Sequence, residues 1–247
     1  MRIALLSDIH GNLLALEAVL KELRAHAPDL VVNLGDHLSG PLEAAATCEM
    51  LMSQREWVHI RGNHDRQMTE QEPDVMGLSD RAATGQLADG HKAWLCSLAP
   101  VAVVAEDVLL CHGTPGSDSE YLLEDVSASG VTLAPCDRIR SLAGAVQGAI
   151  LCGHSHVPRL VRLDEATVVV NPGSVGLQAY HDPDHRFPHF IETGSPHARY
   201  ALLDRRGRGW RASFLAVDYD WDAAARLASQ HGRPDWAHAL AIGYALR

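Results

Sequence analysis

The sequence is short of cysteine and of long apolar runs. Its five cysteines are widely spaced and form no C-x-x-C pair, which excludes a disulfide-stapled miniprotein and a thiolate zinc site. This favours a reducing, cytoplasmic location. The N-terminal apolar run, Ile3 to Leu6, is far shorter than a secretion signal or the ~18 apolar residues of a membrane span. Neither export nor a membrane anchor is therefore expected.

Positive charge is also scarce. The 31 acidic residues outnumber the 21 basic ones and give a formal net charge of -10, which disfavours nucleic acid and anionic membranes as partners. The exception is a local basic stretch at Arg205, Arg206, Arg208 and Arg211. With 247 residues, 47% of them hydrophobic, the chain is expected to form a single elaborated α/β domain over residues 1–247.

Short apolar segments alternate with helical patterns in the first half. Ile3 to Leu6, Leu30 to Leu34 and Trp57 to Ile60 are predicted strands, and Leu13, Leu16, Leu20 and Leu23 recur at helical spacing between the first two. Such alternation predicts parallel strand pairs. The second half is rich in predicted strands, which indicates two sheets rather than one.

Two regions stand apart from this pattern. Residues 177–198 are predicted to be a loop insertion rich in histidine, proline and aspartate, and residues 221–245 two amphipathic helices split near Gly232-Arg233-Pro234. In the insertion, a second metal site or a lid over the substrate remains an alternative, although a solvated loop is the favoured interpretation. The residues concerned are His181, Asp182, Asp184, His185, His189 and His197.

Five short polar motifs each follow a predicted strand. They are Asp8-Ile9-His10, Gly35-Asp36, Gly62-Asn63-His64-Asp65, His112-Gly113 and Gly153-His154-Ser155-His156. Loops at the ends of neighbouring strands converge on one edge of a sheet, so these side chains could share an ion. Asp, His and Asn ligands without a thiolate suit Mn²⁺, Fe²⁺, Zn²⁺ or Ni²⁺. Each motif alone is weak, since Gly-Asp is a common turn, but five in order are a strong signal.

In this order the motifs resemble those of the calcineurin-like metallophosphoesterase superfamily, with the pattern D-x-H, G-D, G-N-H-[DE], H and G-H-x-H. Asn171-Pro172-Gly173-Ser174 is similar to the N-P-G-S loop of its small bacterial and archaeal phosphodiesterase branch. The resemblance covers about the first 176 residues. It implies a four-layer α/β/β/α sandwich of two mixed sheets flanked by helices.

The resemblance also implies two divalent metal ions, Mn²⁺ first, with Fe, Zn or Ni as alternatives. Asp8, His10 and His156 would hold the first ion, Asn63, His112 and His154 the second, and Asp36 would bridge them. Two ions about 3.5–4 Å apart clamp phosphate oxygens and lower the pKa of a bridging water. The reaction expected is in-line attack by a metal-bridging hydroxide.

His64 follows a proposed ligand directly and is predicted to act on the leaving group instead of binding metal. In the family this histidine has that role, and Asp65 is expected to orient it through its other ring nitrogen. Arg61 and Arg66 flank the same motif and are weaker candidates for phosphate contacts. The loop Asn171 to Ser174 either fixes the ligand loops or approaches the phosphate.

The function predicted is a metal-dependent phosphoesterase acting on a small phosphate ester, a nucleotide being one candidate. A phosphodiesterase is favoured by the N-P-G-S loop, with a phosphomonoesterase or Ser/Thr-type protein phosphatase as the next alternative. A metal-dependent nuclease follows, weakened by the net charge of -10. A non-catalytic scaffold with the same fold is last, because all seven ligand positions and His64 are present.

Overall fold

The protein is described by a computed structural model that covers residues 1–207 and 209–247, so Arg208 of the basic stretch lies outside the described residues. One five-stranded sheet contains β1 (Arg2–Leu6), β2 (Leu30–Asn33), β3 (Val58–His59), β13 (Ala198–Arg206) and β14 (Gly209–Val217). Its strand order is β14-β13-β1-β2-β3. The pairs β1-β2 and β2-β3 are parallel, whereas β13 runs antiparallel to β1. The N-terminal strand is therefore central in its sheet.

The second five-stranded sheet contains β4 (Val101–Val104), β5 (Val108–Cys111), β8 (Gly148–Leu151), β9 (Arg159–Arg162) and β10 (Thr167–Asn171). Its order is β4-β5-β8-β10-β9. The three central strands are parallel, and the two edge strands are antiparallel to their neighbours. Both sheets are thus mixed.

Eight helices are present in the described residues. They are α1 (Leu13–His26), α2 (Ala44–Ser53), α3 (Asn63–Glu70), α4 (Leu78–Thr84), α5 (Asp89–Ser97), α6 (Cys136–Ala143), α7 (Trp221–Gln230) and α8 (Pro234–Ile242). The side chain of Asn12 caps α1 by accepting the N–H of Ala15 at 3.1 Å. Proline begins α8 and Gly243, in the left-handed conformation, ends it. None of these helices is long and apolar enough to cross a membrane.

The buried side chains of β1 alternate between two layers. Ile3 and Leu5 pack between the sheets, with side chains such as Val108 from the second sheet, whereas Ala4 and Leu6 pack under the helices on the outer face. This is the two-residue period of a strand that is buried on both faces. On the far side, α6 covers the outer face of the second sheet through Ile139. The expected four-layer α/β/β/α sandwich is therefore confirmed.

Two hairpins lie outside the main sheets: β6 (Glu124–Ser127) with β7 (Gly130–Leu133), and β11 (Ala179–Asp182) with β12 (His189–Glu192). The second hairpin corrects the prediction of a loop at residues 177–198. Its strands, AYHD and HFIE, have four residues each, too few to show a clear alternation of apolar and polar side chains. Ala179 packs in the same buried cluster as Trp236 of α8, so tertiary contacts organise a segment with little local preference.

Candidate metal centre

The candidate ligands follow the carboxyl ends of strands from both sheets. Asp8 and His10 follow β1, Asp36 follows β2, Asn63 begins α3 after β3, His112 follows β5, and His154 and His156 follow β8. All these strands belong to the parallel pairs, whose carboxyl ends meet at one edge of each sheet. The sandwich brings the two edges together, so residues from both halves of the chain meet there.

The first group of candidate ligands is Asp8, His10 and His156. Their ligand atoms all lie within 4.8 Å of one another. The two Nε2 atoms of His10 and His156 are 3.1 Å apart, and Oδ1 of Asp8 is 3.3 Å from Nε2 of His156. All three side chains are buried, with at most 3% of each residue exposed. The group is therefore a compact set of one oxygen and two nitrogen donors.

The hydrogen bonds of this group show that it suits a cation. Nδ1 of His10 lies 2.8 Å from the carbonyl of Ser39, and Nδ1 of His156 lies 2.7 Å from the carbonyl of Leu177. A carbonyl only accepts, so both Nδ1 atoms carry hydrogen and two Nε2 lone pairs face each other. Burial lowers the pKa of His10 to about 4, which keeps it neutral. Oδ1 of Asp8 is buried without a hydrogen-bond partner. A metal ion satisfies all three atoms.

The second group is Asp36, His112 and His154, again with ligand atoms within 4.8 Å of one another. Nε2 of His112 lies 3.1 Å from Oδ2 of Asp36 and 3.1 Å from Oδ1 of Asn63. Its Nδ1 donates to the carbonyl of Leu34 at 2.7 Å, which leaves Nε2 free to bind a metal. The predicted second set of ligands is thus brought together, with Asn63 beside it.

The two groups adjoin each other. Oδ1 of Asp8, in the first group, lies 3.9 Å from Nε2 of His112 in the second. Burial raises the pKa of Asp36, but the charges of His112 and His64 outweigh this effect and lower the pKa well below its usual range. Asp36 remains the predicted bridging ligand, and Asp8 lies near members of both groups as well.

The backbone of the ligand loops is in an uncommon conformation. The φ angles of Asp8, His10, Asp36, His154 and His156 are 55°, 52°, 55°, 68° and 59°. Asp and His are among the side chains that enter this left-handed region more readily than most, yet each such residue costs about 1–3 kcal/mol. Most of the non-glycine residues with positive φ are therefore candidate ligands, and the strain is concentrated at the site.

Gly35 shows why a glycine precedes Asp36. Its φ is +102°, and a Cβ added there would lie 2.5 Å from the backbone nitrogen of Gly62 and 2.8 Å from Nδ1 of His112. A side chain does not fit between these loops. The glycine lets three ligand-bearing loops approach one another closely.

Asp65 ties two of these loops together. Its carboxylate accepts the backbone N–H groups of Asp36 at 2.9 Å, His37 at 3.0 Å and Gly62 at 2.9 Å, and it also accepts Nδ1–H of His37 at 2.7 Å. Both of its oxygens are engaged in this way. The prediction that Asp65 orients His64 is therefore wrong. The carboxylate binds the backbone of the Asp36 loop and the side chain of His37 instead.

The carboxylate that orients His64 is Asp80, the third residue of α4. Nδ1 of His64 lies 2.8 Å from Oδ1 of Asp80, which is 3% exposed. The backbone N–H of His64 donates to Oδ1 of Asp36 at 2.9 Å. Burial lowers the pKa of His64, but the negative charges of Asp36 and Asp80 outweigh it and raise the pKa to about 9. Asp80 was missed because an aspartate in the first turn of a helix is typical of helix starts generally.

Three other predictions are answered by hydrogen bonds. Arg61 is paired with Glu70 and Arg66 with Asp118, and neither arginine lines the cavity at the ligand groups. In the N-P-G-S loop, Oγ of Ser174 donates to the carbonyl of Asp8 at 2.7 Å. The side-chain amide of Asn171 likewise donates to the carbonyl of Gly153 at 2.7 Å. This loop therefore fixes the ligand loops.

A cavity of about 760 Å³ opens at the two ligand groups. We call residues 8–10, 35–36, 62–64, 112 and 153–156 the floor of this cavity. The walls are residues 67–80, residues 177–184 with Tyr121, and residues 233–246. Trp236 of α8 packs against the ring of His10, with the ring centroids 5.9 Å apart. The C-terminal helices thus contribute directly to the site.

The walls offer little positive charge. Among the described residues that line the cavity, Arg233 is the one arginine or lysine. Its guanidinium donates to the carboxylate of Asp235 at 2.9 and 2.7 Å and to Oγ of Ser79 at 2.9 Å. Asp182 and Asp184 also line the cavity and add negative charge. Positive charge for an anionic substrate must therefore come from the floor.

Comparison with known proteins decides the family. A family model described as the calcineurin-like phosphoesterase superfamily domain matches residues 1–190. The chain belongs to this superfamily. The resemblance seen in the motifs is thereby confirmed, and as a calcineurin-like phosphoesterase the chain is a metal-dependent phosphoester hydrolase.

Similar proteins support the fold of this calcineurin-like phosphoesterase. The crystal structure of a metallophosphoesterase from Sphaerobacter thermophilus superposes with a TM-score of 0.74 at 23% identity, over 98% of this chain and 99% of that chain. A proposed diadenosine tetraphosphatase of known structure gives a TM-score of 0.54 at 15% identity, over 86% and 93%. An uncharacterized protein of Methanocaldococcus jannaschii is 23% identical over 95% of this chain and 94% of its own length.

Proposed function

We propose that the protein is a phosphodiesterase that uses two divalent metal ions to hydrolyse a small phosphodiester. The observation that carries the proposal is the pair of adjoining ligand groups on the floor, each with buried donor atoms facing one point. His10, His112 and His156 each have their second ring nitrogen bound to a backbone carbonyl, as ligating histidines have. Mn²⁺ is the metal we expect first from the family resemblance, and the carboxylate, amide and imidazole donors are compatible with it.

The metals and His64 would divide the chemistry. Two bound ions supply positive charge that polarises the phosphate and lowers the pKa of water at the site. His64 follows Asn63, its ring centroid lies 5.7 Å from that of His10, and it lines the cavity. Because Asp80 holds its Nδ1–H, Nε2 is directed away from Asp80 and is available to protonate the departing alkoxide.

The charge of the cavity favours a diester over a monoester. A phosphodiester carries one negative charge at neutral pH, whereas a monoester carries nearly two. The walls add no unpaired arginine or lysine among the described lining residues, because Arg233 is bound to Asp235 and Ser79. A cavity of about 760 Å³ also has room for ester groups on both sides of one phosphate. A nucleotide with a single diester phosphate remains a candidate substrate.

The same observations weigh against the alternatives. A nuclease needs a basic track for the backbone. Arg205 is paired with Asp107, Arg206 with Asp204, and neither lines the cavity. A protein phosphatase would act on a phosphate monoester, and a scaffold would have no need for seven converging candidate ligands.

The test is metal-dependent hydrolysis of matched model esters. The protein is stripped with a chelator, reloaded with Mn²⁺, and assayed on bis-p-nitrophenyl phosphate and p-nitrophenyl phosphate. We expect Mn²⁺-dependent turnover with the diester preferred. His64→Ala should keep two Mn²⁺ ions and lose about 10²–10⁴-fold on diphenyl phosphate, and less on bis-p-nitrophenyl phosphate, whose leaving group needs little protonation. His26→Ala, at the distant end of α1, is the control and should keep full activity.

Two results would contradict the proposal. A preference for the monoester would favour a phosphomonoesterase with the same centre. Loss of both ions in His64→Ala would show that His64 is a ligand and would remove its role as the acid.

A further inference from the structure

His154 differs from the other three candidate histidine ligands. His10, His112 and His156 each donate Nδ1–H to a backbone carbonyl, at 2.7–2.8 Å. Across the described residues, neither ring nitrogen of His154 has a protein hydrogen-bond partner within bonding distance. The orientation of this ring must therefore come from packing, because no hydrogen bond to the protein sets it.

The side chain that packs on His154 is Tyr121. The two ring centroids are 4.8 Å apart and the ring planes are inclined by 36°. Tyr121 is 8% exposed, and it belongs to none of the five sequence motifs. The ring of His154 also lies 5.2 Å from the ring of His112. His154 thus contacts a tyrosine of the wall and a histidine of the floor.

Tyr121 is in turn held by the β11–β12 hairpin. Nδ1–H of His189 donates to the carbonyl of Phe187 at 3.0 Å, so Nε2 of His189 is an acceptor. The hydroxyl of Tyr121, 3.2 Å away, donates to that nitrogen, and its oxygen accepts the hydroxyl of Tyr180 at 2.7 Å. The Tyr180 hydroxyl also lies 3.4 Å from the carbonyl of His154, a longer contact than the one to Tyr121. The position of the Tyr121 ring is therefore fixed by a hairpin that contributes no candidate ligand.

We propose that Tyr121 is a positioning residue for His154. Because packing replaces a hydrogen bond at this ligand, the second ion is held more weakly than the first. This inference rests on the two-metal centre of the proposed function. A ligating histidine is oriented by the bond to its second nitrogen, and loss of such a partner costs about 10–100-fold in metal affinity. The first group has that support at both of its histidines, whereas the second has it only at His112.

The experiment is a calorimetric titration of the chelator-treated full-length protein with Mn²⁺. The wild type should bind two ions in two steps, the second weaker by about 10-fold or more. Tyr121→Leu removes the ring and should weaken the second step by about a further 10-fold while leaving the first unchanged. Tyr121→Phe keeps the ring but loses the hydroxyl that binds the hairpin, so its second step should be weakened by less than that of Tyr121→Leu. The electron paramagnetic resonance signal of a coupled Mn²⁺ pair should appear at higher Mn²⁺ in Tyr121→Leu.

The outcomes separate this inference from the proposed function. A wild type that binds fewer than two ions overturns the two-metal centre itself. A wild type that binds two ions, together with Tyr121→Leu curves that superimpose on it, overturns only the role of Tyr121. Equal weakening of both steps would mean a general structural defect and would also contradict the proposal. If Tyr121→Leu melts below the assay temperature, His189→Leu gives the test, because it removes the acceptor of the Tyr121 hydroxyl and should weaken only the second step.

Discussion

The floor and the walls of the cavity are built in different ways. In the floor, backbone hydrogen bonds join neighbouring loops, from Asp8 N–H to the Gly35 carbonyl and from His10 N–H to the Asp36 carbonyl, both at 3.0 Å. Five of the seven candidate ligands there, namely Asp8, His10, Asp36, His154 and His156, adopt strained positive φ angles. The walls consist of short helices and a hairpin, and Val75 and Leu78 on the rim are 71% and 66% exposed.

This difference indicates how the two regions divide the work. Each floor position accepts few residue types, because a ligand atom, a left-handed backbone and a close contact must be satisfied together. The walls make ordinary packing contacts that other side chains could also make. The floor therefore determines the chemistry, and the walls determine which ester enters.

The largest effect is expected from Asp36→Asn, in the centre of the floor. It removes a negative charge beside His112 and the predicted bridging ligand, while the amide keeps the size of the side chain. We expect activity to fall by about 10³-fold, the equivalent of several kcal/mol of metal-dependent stabilisation. Metal analysis should show fewer than two Mn²⁺ ions per chain. Asp182→Asn, the same change in a wall, should alter activity by only about twofold. Similar losses of activity in both variants would contradict the distinction between floor and walls.

A smaller loss of activity is expected from Asp80→Asn. Asp80 is a wall residue whose carboxylate contacts His64 of the floor. The amide weakens the contact that orients His64, so kcat should fall by about 10–100-fold with normal metal content. Because we propose that His64 protonates the leaving group, the loss should be greater for phenyl than for p-nitrophenyl esters. Asp118→Asn breaks the ion pair of Arg66 on the same α3 helix and is the matched control. A loss independent of the leaving group would contradict this role.

Arg233→Ala should change hydrolysis of the diester by less than about fivefold, the range of an exposed or half-buried ion pair. The reason is that the guanidinium is already bound to Asp235 and Ser79. Steady-state kinetics on bis-p-nitrophenyl phosphate would measure it. A rise of KM by about 100-fold would show instead that Arg233 exchanges Asp235 for the phosphate.

The smallest effect on turnover is expected beneath the floor, at His59. Burial, reinforced by the neighbouring His37, lowers the pKa of His59 to about 3 from 6.5. Between those values the unfolded chain binds the extra proton, so this group makes the protein less stable as pH falls below 6.5. His59→Gln should reduce the loss of unfolding free energy between pH 6.5 and 5 by up to about 2 kcal/mol. Urea unfolding at both pH values measures it, and equal losses would contradict it.

The floor could be predicted from the sequence because its residues lie in short local motifs. Three signals are visible without a structure. They are a glycine where two loops come close together, an aspartate or histidine directly after a strand, and the fixed order of the five motifs. Gly35 and Asp36 illustrate this, since the first is required by space and the second by chemistry. The two sheets were predictable for a related reason, because their strands are short apolar segments between polar loops.

The walls could not be predicted in the same way. Asp80 reaches His64 across 16 residues from a short helix, and no spacing rule connects them. Residues 179–192 form a hairpin because they pack against α8 and bind Tyr121, contacts that join distant parts of the chain. Asp65 was assigned to the wrong partner because adjacency in sequence does not show which backbone N–H groups a buried carboxylate will meet.

The position of β1 has a consequence for the order in which the molecule assembles. β1 lies between β2 and β13, and Arg2 is paired with Asp204 near the other end of the chain. During synthesis β13 can therefore cover the second edge of β1 only after about residue 206 has left the ribosome. Contacts so distant in sequence close late in folding, and an uncovered strand edge is prone to join other chains. A fragment that ends before β13 would carry every motif and still leave β1, which leads into Asp8 and His10, open along one side.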